Sequence, residues 1–147
     1  MIILLALCLP ATASQLKPDQ GAQPHRTDPA EVLRSAQTIF IRSKSVYFKP
    51  ASLEQDLLNR DEVQDWGLVF TRQEADADLI IEVDRKRFTN AFVYSVMDPK
   101  TNRVLMGGKI GSLGGSVEGQ IGDSFVKKMR KYCGRRSAEE KKPNKPG

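Results

Sequence analysis

The clearest pattern in the chain lies at residues 77–86, where Ala77, Leu79, Ile81 and Val83 alternate with Asp78, Ile80, Glu82 and Asp84. A period of two sends the first set to one side of a strand and the second to the other. One side is expected to meet helices, and the other to be partly wet. Three more strands follow from local composition. Residues 38–48, TIFIRSKSVYF, are rich in β-branched and aromatic side chains, and 68–72 and 88–97 read the same way. The run 98–102, DPKTN, is a turn by composition, so 103–110 is expected to pair antiparallel with the strand before it.

Helical spacing appears in three places. Asp28-Pro29-Ala30-Glu31 supplies a cap, a proline at the first helical position and an acid three residues on, predicting a short helix to about Ala36. After Lys49-Pro50, Leu53, Leu57 and Leu58 mark a helix over 50–60, with Glu54, Gln55, Asp56 and Arg60 toward water. Val63 and Trp66 are expected to cover its end, with Trp66 in the core, and Gly67 to stop the turn. In the last element Val117, Ile121, Phe125 and Met129 recur every four residues, and Gly134 is expected to end the helix. The order predicts an α+β fold, strand-helix-four strands-helix, with a five-stranded mixed sheet and two main helices on one face. The other face is left open to solvent or a partner.

The ends read differently. Residues 2–9, IILLALCL, form an apolar run broken by Pro10, and Ala11-Thr12-Ala13 places small residues before Ser14. That is the pattern of a secretory signal peptide cleaved between Ala13 and Ser14, although no Lys or Arg precedes the run. The run falls far short of the ~20 residues of a spanning helix. Lipidation at Cys8 would need a small residue before it, and Leu7 is not small. Removal of 1–13 would leave Cys133 as the sole cysteine, expected to pack as a small hydrophobe. The chain is therefore divided into a signal peptide (1–13), a flexible linker (14–27), one domain (28–134) and a disordered basic tail (135–147).

The length of 147 residues accommodates one such domain. The net charge of +5 is unevenly spread. From Lys127 onward nine cations face two anions, giving +7, and the remaining 14 cations and 16 anions give −2. Cations at the end of the last helix suit its dipole. Beyond it, Arg135, Arg136, Lys141, Lys142 and Lys145 could contact phosphates or anionic lipid headgroups without a shaped site. Of the aromatics only Tyr132 lies with these cations, which speaks against nucleic acid.

Candidate chemistry is sparse. The only histidine, His25, lies in the linker, so a His-based triad is excluded. One His and two Cys cannot build a zinc site of several Cys and His ligands. The run 107–112, GGKIGS, differs from a phosphate loop because Ile110, not Ser or Thr, follows the lysine. Asp76 with Asp78, and Glu82 with Asp84, fall at two-residue spacing, ~7 Å apart along a strand, which makes paired catalytic or metal-binding carboxylates geometrically feasible. Nearby Arg72, Arg85, Lys86 and Arg87 make ion pairs on a wet face the ordinary alternative.

The stretches LRSAQTIFIRSKSVYFKP (33–50), LEQDLL (53–58), VQDWGLVFT (63–71), ADLIIEVDR (77–85) and DPKTNRVL (98–105) resemble a group of short exported bacterial proteins of unknown function. More loosely, the element order is similar to envelope domains such as the TolB amino-terminal domain and penicillin-binding-protein activator lipoproteins. The resemblance implies an exported, non-catalytic, partner-binding domain of the cell envelope, periplasmic or secreted. This chain departs from the lipoproteins in lacking a good lipidation site, so no lipid anchor is expected, and no cofactor is expected either. Such a domain would bind a protein or other envelope component through its open sheet face or an edge strand. Two alternatives stand beside it: a small hydrolase or metal-dependent enzyme using the strand-three carboxylates, and electrostatic binding of anionic lipid or polysaccharide by the tail.

Overall fold

The computed structural model describes residues 28–111 and 115–140. The expected α+β architecture is present: among the described residues, a five-stranded mixed sheet with four α-helices. The elements are α1 (Pro29–Ser35), β1 (Thr38–Ser43), α2 (Pro50–Leu58), α3 (Asp61–Asp65), β2 (Val69–Phe70), β3 (Leu79–Arg85), β4 (Ala91–Asp98), β5 (Arg103–Gly111) and α4 (Val117–Glu140). A single 3-10 turn, Glu74–Asp76, precedes β3. The strand order is β2-β1-β3-β4-β5, with β1 parallel to both neighbours and β3, β4 and β5 successively antiparallel.

The alternation in β3 works as expected. Leu79, Ile81 and Val83 are fully buried and share one cluster with Ile39 and Ile41 of β1, Tyr94 and Val96 of β4, and Leu53, Leu57, Ile121, Phe125 and Met129 of the helices. The Asp28 carboxylate caps α1 by accepting from Ala30 N at 3.0 Å. Asp98 ends β4 by accepting from Lys100 N at 2.9 Å and Thr101 Oγ1 at 2.7 Å, and Asn102 completes the turn at φ 54°.

Several elements depart from expectation. The first strand stops at Ser43, five residues early, because the Ser43 hydroxyl bonds Ser45 at both N and O and folds the backbone into a turn. The 50–60 helix is shorter and is followed by a separate α3, ended by Gly67 in the left-handed region at φ 66°. Leu58 is exposed, whereas Asp56 and Arg60 turn toward α4. The second strand keeps only two residues, and the fourth begins at Ala91 because Phe88 sits in a turn at φ 60°. The last helix passes Gly134 and continues to Glu140, since one glycine costs only ~1 kcal/mol against the helix-forming residues after it. The 135–140 part of the expected tail is therefore helical backbone.

The sheet's second face is also less open than expected. Because β2 and β3 flank β1, the chain between them crosses β1 on the side away from the helices. Glu74 pairs with Arg42 at 2.7 Å and the Thr38 hydroxyl donates to Asp76 O at 2.9 Å, pinning that crossing. Ile80, which points to this face, is consequently only 3% exposed.

Candidate functional site

The strand-three carboxylates do not converge. The Asp78 carboxylate accepts from Gln37 N and Thr38 N at 3.0 and 3.1 Å and shares the single Thr38 hydroxyl proton, 3.0 Å away at Oγ1, with Asp76 O, tying the start of β1 to β3. Burial pushes its pKa up, but those hydrogen bonds and the charge of Lys100 overcome burial and hold it below the ordinary value. Glu82 lies opposite Arg42 in the parallel ladder and accepts from it through Nε at 3.1 Å and Nη2 at 2.7 Å. Lys44 reaches its other oxygen at 2.7 Å. Here too burial raises the pKa and the two cations more than reverse it. Asp84 is exposed and bonds the backbone N of Arg85. Asp76 is exposed, and its carbonyl, not its carboxylate, holds Thr38. The partners of Glu82 are thus Arg42 of β1 and Lys44 just after it, rather than the cations nearest in sequence. Among the described residues no three His, Cys, Asp or Glu side chains are grouped to hold a metal.

The glycine run has a packing cause. Gly107 and Gly108 lie within β5, where a Cβ on Gly107 would stand 2.5 Å from Tyr94 O and one on Gly108 2.7 Å from the Tyr94 ring. Above them Tyr94 shares a 2.7 Å hydrogen bond with the Ser124 hydroxyl, and the Lys128 ammonium of α4 donates to Gly107 O. Lys109 is in β5 and exposed. Cys133 is buried in the core cluster, and Trp66 packs against it. Arg135 and Arg136 fall in the last turns of α4. Ala13, Ser14, Cys8, His25, Lys141, Lys142 and Lys145 lie outside the described residues.

Two surfaces remain with contact groups exposed. The first is the outer edge of β5. Nine residues long, it has no strand beyond it among the described residues, and Val104 beside that edge is 61% exposed. A shift in register at Val96/Met97 leaves Leu105 as an extra residue of β5, while Arg103 and Val104 stay paired with β4. The second surface joins the 44–48 loop to the 86–90 turn, at the carboxyl end of the parallel strands. An open cleft of 570 Å³ lies between them. Its aromatics, Tyr47 and Phe88, lie outside the observed strands although the composition of 38–48 and 88–97 predicts strand there, because β-branched and aromatic residues look alike in a strand and in an exposed loop.

No family model matches this chain, and neither a curated protein nor a solved structure does. No helix among the described residues is long and apolar enough to cross a membrane.

Proposed function

We propose that this chain is an exported, non-catalytic binding domain of the bacterial cell envelope, and that it holds an extended segment of a partner protein along β5. The observation that carries the reading is the β5 edge: nine residues without a neighbouring strand among the described residues, without proline, and bordered by exposed Val104. Such an edge offers backbone donors and acceptors to an added strand, and alternate side chains give specificity. The other sheet edge, β2, is too short to do this. The non-catalytic part is supported by the tasks already given to the acids of β3. Asp78 and Glu82 are saturated by structural hydrogen bonds and ion pairs and held in their charged forms. A proton shuttle works best near its operating pH, and neither group is moved that way.

The experiment places a photo-crosslinking side chain at Val104 or, as a control, at exposed Lys127 on α4, in the full chain expressed in its own cell envelope. A discrete adduct is expected from Val104 and not from Lys127, joined to a peptide of extended sequence. Val104→Asp should weaken the isolated complex at least ~tenfold, as expected for a lost apolar contact at an interface. Identical adducts from both positions would remove the β5 reading. Amino-terminal sequencing of the recovered protein tests export, with Ser14 as the expected first residue.

A further inference from the structure

A second contact surface, independent of the β5 edge, lies at the tip formed by the 44–48 loop and the 86–90 turn. The two are brought together by the parallel pairing of β1 with β3, which continues into the loop through Lys44 N donating to Val83 O at 2.9 Å. Arg85 locks them. Its guanidinium lies 4.5 Å from the Tyr47 ring centroid, while Nε donates to Thr89 O at 3.0 Å and Nη2 to Asn90 Oδ1 at 3.1 Å. Among the described residues the three most exposed large hydrophobic side chains are all here: Phe88 at 103%, Val46 at 92% and Tyr47 at 72%. Around them stand Lys44, Arg85, Lys86 and Arg87 against one acid, Asp84. Lys86 and Arg87 make no ion pair among the described residues.

Phe88 is the sharpest indicator. It is one of two non-glycine residues at positive φ among the described residues, and the other is an asparagine, which tolerates that region. A bulky aromatic does not, and the strain is spent on projecting an apolar ring wholly into water. The hairpin turn uses this backbone, with Thr89 N donating to Lys86 O at 3.2 Å across it, but glycine or asparagine would serve the turn better, and the exposed ring packs on nothing. We propose that this tip docks on an anionic bilayer surface, with Phe88, Val46 and Tyr47 entering the headgroup–acyl boundary and Lys86 and Arg87 meeting lipid phosphates. Charge complementarity selects the anionic surface, and the projecting rather than recessed apolar groups select a bilayer. Aromatic side chains suit that boundary. Single-stranded nucleic acid fits less well, because Arg85 already covers one Tyr47 face and Val46 has no ring to stack on a base.

The test uses the full chain and vesicles of equal parts phosphatidylglycerol and phosphatidylcholine, with pure phosphatidylcholine as the neutral comparison. Co-sedimentation is expected with the anionic vesicles and should weaken with salt. Val46→Ser with Phe88→Ser, and separately Lys86→Glu with Arg87→Glu, should each reduce binding at least ~tenfold, since both apolar insertion and headgroup attraction are required. All four positions are exposed, so the fold should persist. Emission of Phe88→Trp should shift to the blue on vesicle addition. Phe88→Gly should raise the melting temperature while reducing binding, because glycine relieves the strain and removes the ring. Undiminished binding by Val46→Ser/Phe88→Ser would assign lipid contact to the basic carboxyl end and overturn the proposal. So would an unmoved Phe88→Trp emission, a lower melting temperature for Phe88→Gly, or tip-dependent binding of an oligonucleotide with none to vesicles.

Discussion

Asp78 shows how a polar residue in an apolar strand can serve the fold. Its one carboxylate oxygen gathers two backbone N–H groups, from Gln37 and Thr38, and a share of the Thr38 hydroxyl proton, at the point where α1 hands over to β1. Thr38 answers by accepting from Asp78 N through both its carbonyl and its hydroxyl. An amide at position 78 keeps the size but replaces a charged acceptor with a neutral one, and charge-assisted bonds are the stronger kind. Asp78→Asn is expected to cost about 1–2 kcal/mol of stability, the range for losing hydrogen bonds to a charged group that is still partly in contact with water. Urea unfolding at neutral pH measures it. No loss would mean that the three contacts do not survive in solution. In the sequence Asp78 is visible as an acid in an alternating strand, which fits a catalytic carboxylate equally well. What separates the two readings is its partner forty residues away, and local pattern carries no record of a contact that distant.

Between elements, the decisive feature is how closely α2 approaches α4. Arg60, between α2 and α3, donates to Asp56 at 2.9 Å, to Asp123 at 2.6 Å and to Gly119 O at 3.1 Å. Burial lowers the Arg60 pKa, and its hydrogen bonds and the charges of both aspartates outweigh that and raise it. This ion-pair group fits because Gly122 has no side chain: a Cβ there would collide with the Asp56 carboxylate and the Arg60 guanidinium. Two effects oppose each other in Gly122→Ala. Helix propensity favours alanine by ~1 kcal/mol, and crowding in a packed site costs ~1–3 kcal/mol. Crowding is expected to win, leaving a net loss of about 1 kcal/mol. Gly122→Val should lose more, both read from urea midpoints. Net stabilisation by alanine would mean that the two helices stand further apart. The stripe of Ile121, Phe125 and Met129, the alternation of β3 and the 98–102 hairpin were all legible, because each is a periodicity or turn chemistry held within a few residues. The helix break at 59–60, the early end of β1 and the crossing over its second face were not. They depend on a serine turn, on ion pairs between distant acids and bases, and on strand order, none of which leaves a period in the sequence.

For the whole molecule, the acids that hold elements together set its response to pH. Glu62 is lowered first by the hydrogen bond from Arg130, which joins α3 to α4. Asp78 and Glu82 are lowered because their partners outweigh burial. Each group binds its proton less readily folded than unfolded, so its contribution is complete above the ordinary values of 3.8 for Asp and 4.5 for Glu. That contribution is lost as pH falls through the lower, folded values. Tyr94 marks the other limit: burial raises its pKa against the Ser124 hydrogen bond, so the stability linked to its neutral form is lost only as pH rises past the ordinary 10.0. The domain is therefore expected to hold a plateau of stability through neutral pH and to weaken below about pH 4. Glu82→Gln separates this linkage from general charge repulsion. Its side chain is only 12% exposed and neutralises two cations, so the variant should be less stable at pH 7 by about 1–3 kcal/mol. As the parent's own Glu82 becomes protonated, the gap between the two should narrow as pH falls below the ordinary 4.5 and through the lower folded value. Urea unfolding of both proteins across pH 3 to 7, about the range of carboxylate titration, supplies the comparison. A gap that stays constant over that range would show that the loss at position 82 comes from packing rather than from charge.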